Sequence, residues 1–369
     1  MTNDVNKNRL QPKTTEAQTT EQLEPVIENT PPLPVIDWSL INQQAPVLLD
    51  TPYDYLPEAD VVIITWAGAE WAAMEHVFCT SDTTMPYSDR STSYWDGWQK
   101  YDKDMPTYSG SSDDDWDYWG YYRLVQIQDK NVLLFKSNTH LDWPGEQYLE
   151  DLIYRFIDYV KPQLIISTGT AGGARPQDQE GTVNVVQAGT LYVEGKPPSD
   201  WPNYTNDWQA NWSIIKQGNF TQLLFPIPTT KSDLESLSNQ FNQYYGTDYS
   251  LSELNALNLD MGASLPQLND MTPDGTALLT TDTFVVATTS GDYADFACVE
   301  MDDAIIGKVC SSQNTSFGFV RNISDPIQNA NLPSEVQGNW GSVIYDAYGF
   351  YTSYNSALAA WAIVTAQLQ

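Results

Sequence analysis

The chain has 369 residues, 41% of them apolar, which is enough to build one large domain or two small ones. Its 48 acidic and 17 basic residues give a formal charge of −31 at pH 7. This charge repels nucleic-acid phosphates and anionic membrane surfaces, so we expect neither nucleic acid nor a membrane to be a partner. No apolar stretch is long enough to span a bilayer and no export signal is evident, which predicts a cytoplasmic protein.

A metal centre is not expected. The chain has three cysteines and two histidines, and none of them shows the spacing of a zinc site. We therefore predict chemistry that needs no metal and no other cofactor.

The N-terminal residues 1–35 are rich in Thr, Gln, Glu, Asn and Pro, and so few apolar side chains cannot offset the entropy lost on ordering. We predict a disordered tail there and one domain over residues 36–369. The domain opens with Ala59–Thr65, a run typical of a strand that is buried on both faces. Gly68–Phe78 follows with the pattern of a helix.

Residues 79–120 and 196–276 show little periodicity and are crowded with polar and aromatic side chains. We interpret both as inserted loops, the second with one helix around Lys231–Tyr245. The aromatic residues of Asp113–Tyr122 fit either a solvated loop or a surface that covers a partner.

The other segments alternate between strand and helix patterns, which predicts an α/β fold. We expect a single domain with a mixed central β-sheet flanked by helices. A glycine-rich loop is predicted at Thr168–Gly173, at the carboxyl end of a buried strand, where open α/β sheets bind ligands. The predicted elements are a hairpin at Tyr122–Ile127 and Asn131–Lys136, strands at Gln163–Ser167, Ala277–Thr288 and Phe317–Ile323, and helices at Gly145–Val160, Ala294–Ser311 and Ser353–Leu368.

Three carboxylates lie where a catalytic group could be placed. Asp302 lies in the acidic segment Val299–Cys310, and the ordinary explanation for an acidic first turn of a helix is its favourable interaction with the helix dipole. Asp325 ends a predicted buried strand, although Asp followed by Pro is also an ordinary turn signal. Glu70 is the only charged residue in Val61–Met74, and it is either a helix N-terminal residue or a functional group.

Four segments, taken in order, resemble the nucleoside phosphorylase and nucleosidase superfamily, and especially its methylthioadenosine/S-adenosylhomocysteine nucleosidase branch. They are VVIITWAGAEWAAM, STGTAGG, TDTFVV, and the pair VEMDDAIIGKVC and FVRNISD. The last pair is the most specific. The resemblance implies the superfamily's α/β fold, a purine nucleoside as substrate and a homodimer or larger assembly.

The resemblance also implies the chemistry of the acidic segments. Asp325 matches the aspartate that protonates the leaving purine, and Ser324 matches its neighbour. Asp302 matches the glutamate that holds the ribose hydroxyls, but it is one methylene shorter, and Met301 matches the methionine that packs against the sugar.

Other positions match residues around the base and the glycosidic bond. Phe284 matches the aromatic residue that stacks on the base, and Val285 the position whose backbone recognises the purine edge. Thr170, Ala171 and Gly172 match the loop around the bond that is broken.

The nucleophile distinguishes the two branches of the superfamily. Phosphorylases need cations around phosphate. In the resemblance, however, Glu70 and Ser167 stand near the positions of two phosphorylase arginines, so that Arg321 is the one arginine left for phosphate. A carboxylate suits the activation of water. We therefore expect hydrolysis of an adenosine-type nucleoside with Asp325 as acid and Glu70 as base; a phosphorylase and a non-catalytic nucleoside-binding or regulatory module are the alternatives.

Overall fold

The computed structural model describes residues 23–91, 96–108, 116–255 and 265–368. Over these residues a mixed β-sheet is flanked by helices, which confirms the predicted fold class. The strands are β1 Val47–Leu48, β2 Val61–Thr65, β3 Gln99–Tyr101, β4 Gly120–Ile127, β5 Lys130–Ser137, β6 Leu164–Gly172, β7 Val183–Val186, β8 Ala188–Leu191, β9 Asn203–Thr205, β10 Leu268–Asp270, β11 Ala277–Thr280, β12 Val299–Glu300 and β13 Ser316–Asp325. The α-helices are α1 Gly68–Phe78, α2 Glu146–Arg155, α3 Lys231–Tyr245, α4 Leu251–Leu254, α5 Asp303–Gln313 and α6 Ser334–Gln367.

Strand β6 is the branch point of the sheet. It pairs in parallel with β2 and β13, and at its carboxyl end it also pairs with β12. One path runs β1-β4-β5-β2-β6-β12-β11-β8-β9, while β13 connects β6 to β7 and β10 follows β7. The parallel strands β5, β2, β6 and β13 therefore end at one edge of the sheet, which is where side chains from distant parts of the chain meet.

The central strands separate two apolar cores. In β2, Val61 and Ile63 face a core shared with α1, α3 and α6, whereas Val62 and Ile64 face a core shared with α2 and α5. A strand covered on both faces needs an uninterrupted apolar run, which explains the pattern that predicted it.

Several predicted boundaries are wrong. The stretch Thr168–Gly172 continues β6 as strand, because it pairs residue by residue with β13. The strand predicted at Ala277–Thr288 ends at Thr280. The helix predicted at Ala294–Ser311 begins only at Asp303, since Val299 and Glu300 pair with β11.

The prediction of a disordered tail is wrong for its last part. Leu33 is fully buried and exchanges backbone hydrogen bonds with Met85, 2.8 and 3.1 Å long. Pro31 accepts a hydrogen bond from the Tyr351 hydroxyl on α6. Burial against the domain repays the ordering of this segment; residues 1–22 lie outside the described residues.

Three tryptophans of the first predicted insertion belong to the core. Trp98, Trp116 and Trp119 are all buried, and the Trp98 indole donates a hydrogen bond of 2.6 Å to Glu75. In the described part of Asp113–Tyr122, the buried Trp116, Trp119 and Tyr122 therefore fit neither a solvated loop nor a surface for a partner. In the second insertion the predicted helix is confirmed as α3, and its Tyr245 donates a hydrogen bond to Asn339 of α6.

The C-terminal helix is twice as long as predicted. Helix α6 has 34 residues and begins at Ser334, well before the predicted start at Ser353. Its first half contains Gly338, Gly341 and Gly349, which lower intrinsic helix propensity. No helix among the described residues, α6 included, is long and apolar enough to cross a membrane.

Candidate active site

A cavity of about 400 Å³ opens at the carboxyl ends of the central parallel strands. This is within the usual size range of small-molecule sites. All of the residues predicted from the sequence to form the site line it: Glu70, Thr170, Ala171, Gly172, Phe284, Val285, Met301, Asp302, Arg321, Ser324 and Asp325. Eight further residues that the sequence reasoning missed complete the lining: Trp66, Ala67, His140, Thr281, Val299, Glu300, Ser342 and Tyr345.

Asp325 is the last residue of β13 and is 6% exposed. Burial raises the pKa of its carboxyl to about 7, although the hydrogen bond of 2.9 Å from the Ser324 hydroxyl acts in the opposite direction. Gly172 permits the close approach of β6, because a Cβ there would lie 3.2 Å from Asp325 Oδ2. A carboxyl of this kind holds a proton near neutral pH and can donate it.

Glu70 lies in the first turn of α1 and is held by an array of donors. Its Oε2 accepts hydrogen bonds from the backbone amides of Trp66 and Ala67 and from the Thr65 hydroxyl, at 2.8 to 2.9 Å. Its Oε1 accepts from the backbone amide and the hydroxyl of Thr170, at 2.7 and 2.6 Å. Five donors fix the carboxylate against β6, and both Glu70 and Thr170 line the cavity.

Arg321 is neutralised inside the protein. Its guanidinium donates to both carboxylate oxygens of Asp303 at 2.7 and 2.5 Å, and to Glu300 at 3.2 Å. It also donates to the Ser167 hydroxyl and to the Thr170 carbonyl, each at 3.1 Å. Burial lowers the pKa of Arg321, but Asp303 and Glu300 raise it by more, so the side chain stays charged.

Glu300 shares this buried network. Burial and the neighbouring Asp303 carboxylate raise the pKa of Glu300, while Arg321 opposes them. Its Oε2 also accepts hydrogen bonds from the backbone amides of Asp302 and Asp303, at 2.7 and 3.0 Å. Glu300 thereby fixes the turn that presents Asp302 to the cavity.

Asp302 is held by two residues that follow β5. Its Oδ1 accepts a hydrogen bond of 2.9 Å from the Leu141 amide, and its Oδ2 lies 3.2 Å from His140 Nδ1. Each oxygen keeps room for a further hydrogen bond from a ligand. His140 follows the end of β5, a position at which α/β sheets collect functional side chains, and that signal in the sequence could have revealed it.

Apolar side chains form the rest of the lining. Phe284 is 42% exposed, a high value for a phenylalanine, and its ring packs near Gly338 of α6. Met301, Val285 and Trp66 also line the cavity. An apolar wall with a few convergent polar groups is typical of a small-molecule site. Among the described residues, no cluster of His, Cys, Asp or Glu is arranged to hold a metal ion.

Comparison with known proteins gives structural neighbours but no match in sequence. No protein-family model matches this sequence, and neither does any curated protein. A futalosine hydrolase of Helicobacter pylori is 12% identical, with a TM-score of 0.43, over 83% of this chain and 97% of its own. The 5′-methylthioadenosine/S-adenosylhomocysteine nucleosidase of Neisseria meningitidis, solved with methylthio-immucillin-A, is 13% identical, with a TM-score of 0.43 over 83% and 99%.

The corresponding nucleosidase of Colwellia psychrerythraea, solved with adenine, is 14% identical, with a TM-score of 0.44 over 85% of this chain and 97% of its own. These nucleosidases are the class of protein that the sequence motifs resemble. At TM-scores below 0.5 they carry no argument about residue roles.

Proposed function

We propose that the protein is a nucleosidase that hydrolyses the N-glycosidic bond of an adenosine-type purine nucleoside. The observation that carries the proposal is the buried Asp325, whose pKa of about 7 suits a general acid, on the same cavity as Glu70. Breaking this bond develops positive charge on the sugar and negative charge on the base. An acid beside the base and carboxylates around the sugar meet both demands.

The proposed reaction is a displacement by water at the sugar. The C1′–N9 bond breaks and its electron pair goes to the purine, which takes the Asp325 proton at N7. Water forms the new C1′–O bond and gives up a proton to Glu70, either directly or through the Thr170 hydroxyl that already donates to this carboxylate. The products are the free base and the free sugar.

The state of Arg321 favours hydrolysis over phosphorolysis. Asp303 already neutralises its guanidinium, which also donates hydrogen bonds to Glu300, Ser167 and Thr170 inside the protein. A phosphate dianion in this cavity would meet only cations that carboxylates already neutralise, Arg321 beside Asp303 and His140 beside Asp302. Water is uncharged and needs no such cations.

The assignment of base and sugar subsites follows the sequence resemblance, and the cavity is compatible with it. Phe284 and Val285 would flank the purine near Asp325, while Met301 and Asp302 would face the ribose. All of these side chains line the same cavity. The cytoplasmic location and the homodimer or larger assembly stay predictions from the sequence.

Release of adenine from adenosine, followed by chromatography in buffer with and without phosphate, tests the proposal. We expect release of base that is independent of phosphate. Release that strictly requires phosphate would instead make the protein a phosphorylase. Binding of adenosine without any release would make it a non-catalytic binding module.

A further inference from the structure

His140 is the one histidine of the cavity, and one of its two ring nitrogens already has a partner in the protein. Nδ1 lies 3.2 Å from Asp302 Oδ2, and the Trp66 ring packs against the imidazole with centroids 5.5 Å apart. These contacts fix the orientation of the ring. The side chain is nevertheless 27% exposed and lines the cavity.

The other nitrogen, Nε2, is available to a ligand. It hydrogen-bonds no residue in the described ranges, and it is not among the fully buried polar atoms that lack a partner. A ring nitrogen that is accessible and unpaired at the wall of a cavity is a natural contact for a ligand. Glu70 and Arg321, by contrast, are occupied by protein partners.

We propose that His140 contacts the ligand directly, by donating a hydrogen bond from Nε2 to a hydroxyl oxygen of the ribose. Asp302 would accept from the ribose hydroxyls, and His140 would donate to one of them. Together the two side chains would contact ribose hydroxyls that the short Asp302 side chain cannot reach alone. The inference rests on the proposed function, because it takes the ligand to be a nucleoside and Asp302 to mark its sugar end.

The charges around His140 favour its role as a donor. Burial lowers the pKa of His140, but the Asp302 carboxylate raises it by more, so the net shift is upward. Lys136 of β5 opposes the shift and Asp142 of the following loop supports it. The doubly protonated ring donates from both nitrogens, whereas a neutral ring that keeps its proton on Nδ1 for Asp302 can only accept at Nε2.

Two substitutions separate the functions of the two nitrogens. In His140→Asn the side-chain amide reaches only the position of Nδ1, so it can hold Asp302 but not the ribose. In His140→Gln the amide reaches the position of Nε2. If His140 contacts the ribose, His140→Asn should weaken adenosine binding by roughly tenfold, the loss of one hydrogen bond to a charged donor, and His140→Gln should weaken it less.

Calorimetry in an Asp325→Asn background measures binding without turnover and removes the titration of Asp325. The ligands are adenosine, its 2′-, 3′- and 5′-deoxy forms, and adenine. We expect the loss in His140→Asn to vanish for the deoxy form that lacks the contacted hydroxyl and to be absent for adenine. With His140 intact, adenosine affinity should fall as the pH rises through the pKa of the histidine.

Other results would overturn the inference. If His140→Gln binds adenosine more weakly than His140→Asn, the histidine only positions Asp302. If His140→Asn weakens the binding of all three deoxy forms, or of adenine, as much as it weakens the binding of adenosine, no ribose hydroxyl is the partner of His140. If the protein with Asp325 intact binds adenosine tightly but releases no base, the proposed hydrolysis is refuted and this inference stands. If it binds none of the ligands, both are overturned.

Discussion

Burial sets the behaviour of Asp325 more than any neighbouring charge does. The carboxyl is 6% exposed, and the only hydrogen bond to its side chain from the described residues comes from Ser324. Desolvation penalises the ionised form, so the proton is retained at a pH where an exposed aspartate has lost it. The residue is thereby prepared to protonate a leaving group.

Replacement of this carboxyl should stop the reaction while sparing the binding of substrate. Asp325→Asn removes the proton donor and changes little volume, so we expect kcat to fall by about a hundredfold or more. Steady-state release of adenine gives kcat, and calorimetry gives the affinity. Asp274→Asn, the same change in an exposed turn, is the matched control; equal kcat values in the two variants would contradict the acid assignment.

The pH dependence of turnover should report the same group. Asp325 acts in its protonated form, and its pKa is about 7, so kcat should be retained below that pH and fall as the pH rises above it. A pH series of initial rates at saturating substrate measures this limb. A rate that stays level up to pH 9 would show that another group supplies the proton.

At the scale of elements, the meeting of β6 with α1 depends on one glycine. A Cβ at Gly169 would lie 2.7 Å from the carboxyl group of Glu70, a distance that forces one of the two to move. The carboxylate cannot move freely, because five donors from β2, β6 and the turn between β2 and α1 hold it. The absence of a side chain at Gly169 therefore positions Glu70.

Gly169→Ala should displace Glu70 and lower kcat by at least about tenfold, with a loss of stability of about 1–3 kcal/mol from the overpacked contact. Thermal unfolding and steady-state rates measure the two effects. The control is Gly218→Ala, where an added Cβ meets no atom within 4 Å. If Gly169→Ala kept full activity, the position of Glu70 would not matter for turnover.

The strand ends were predictable from the sequence, whereas their partners across the sheet were not. Asp325 and Glu70 carry local signals, since one ends a buried strand and the other is a lone charge beside one. His140 also follows a strand end, but its contact with Asp302 could not be predicted, because it joins residues 162 positions apart. Such pairings arise from topology, which a local pattern does not record.

The wrong boundaries have a similar origin. Glycine and aromatic residues in the first turns of α6 hid a helix that tertiary packing stabilises along its length, with Trp340, Ile344 and Tyr348 all buried. Conversely, the local sequence at Val299–Glu300 predicts a helix, but these residues form a strand because they pair with β11. In both places tertiary contacts override local propensity.

For the whole molecule, the excess of acidic residues is a cost to folding. A formal charge of −31 makes the compact state repel itself. Among the described residues, the cations Arg123, Arg175 and Arg321 are already paired with internal carboxylates. Little of the surface repulsion is therefore compensated by these side chains.

Monovalent salt should raise the melting temperature by screening this repulsion, since the Debye length falls from about 30 Å at about 0.01 M to about 10 Å at about 0.1 M. Calorimetric melting in NaCl and KCl at matched ionic strength measures the effect. The two salts should agree, because screening depends on ionic strength. A melting temperature that does not rise would show that the charges are too dispersed to matter.

Helix α6 has a consequence for biosynthesis. It contributes Ser342 and Tyr345 to the cavity and packs against α1, which is formed from the start of the domain. Asp325 also comes late in the chain, on β13. A nascent chain on the ribosome thus exposes the apolar core between α1 and α6 until α6 emerges, and the cavity closes only after α6 has been translated.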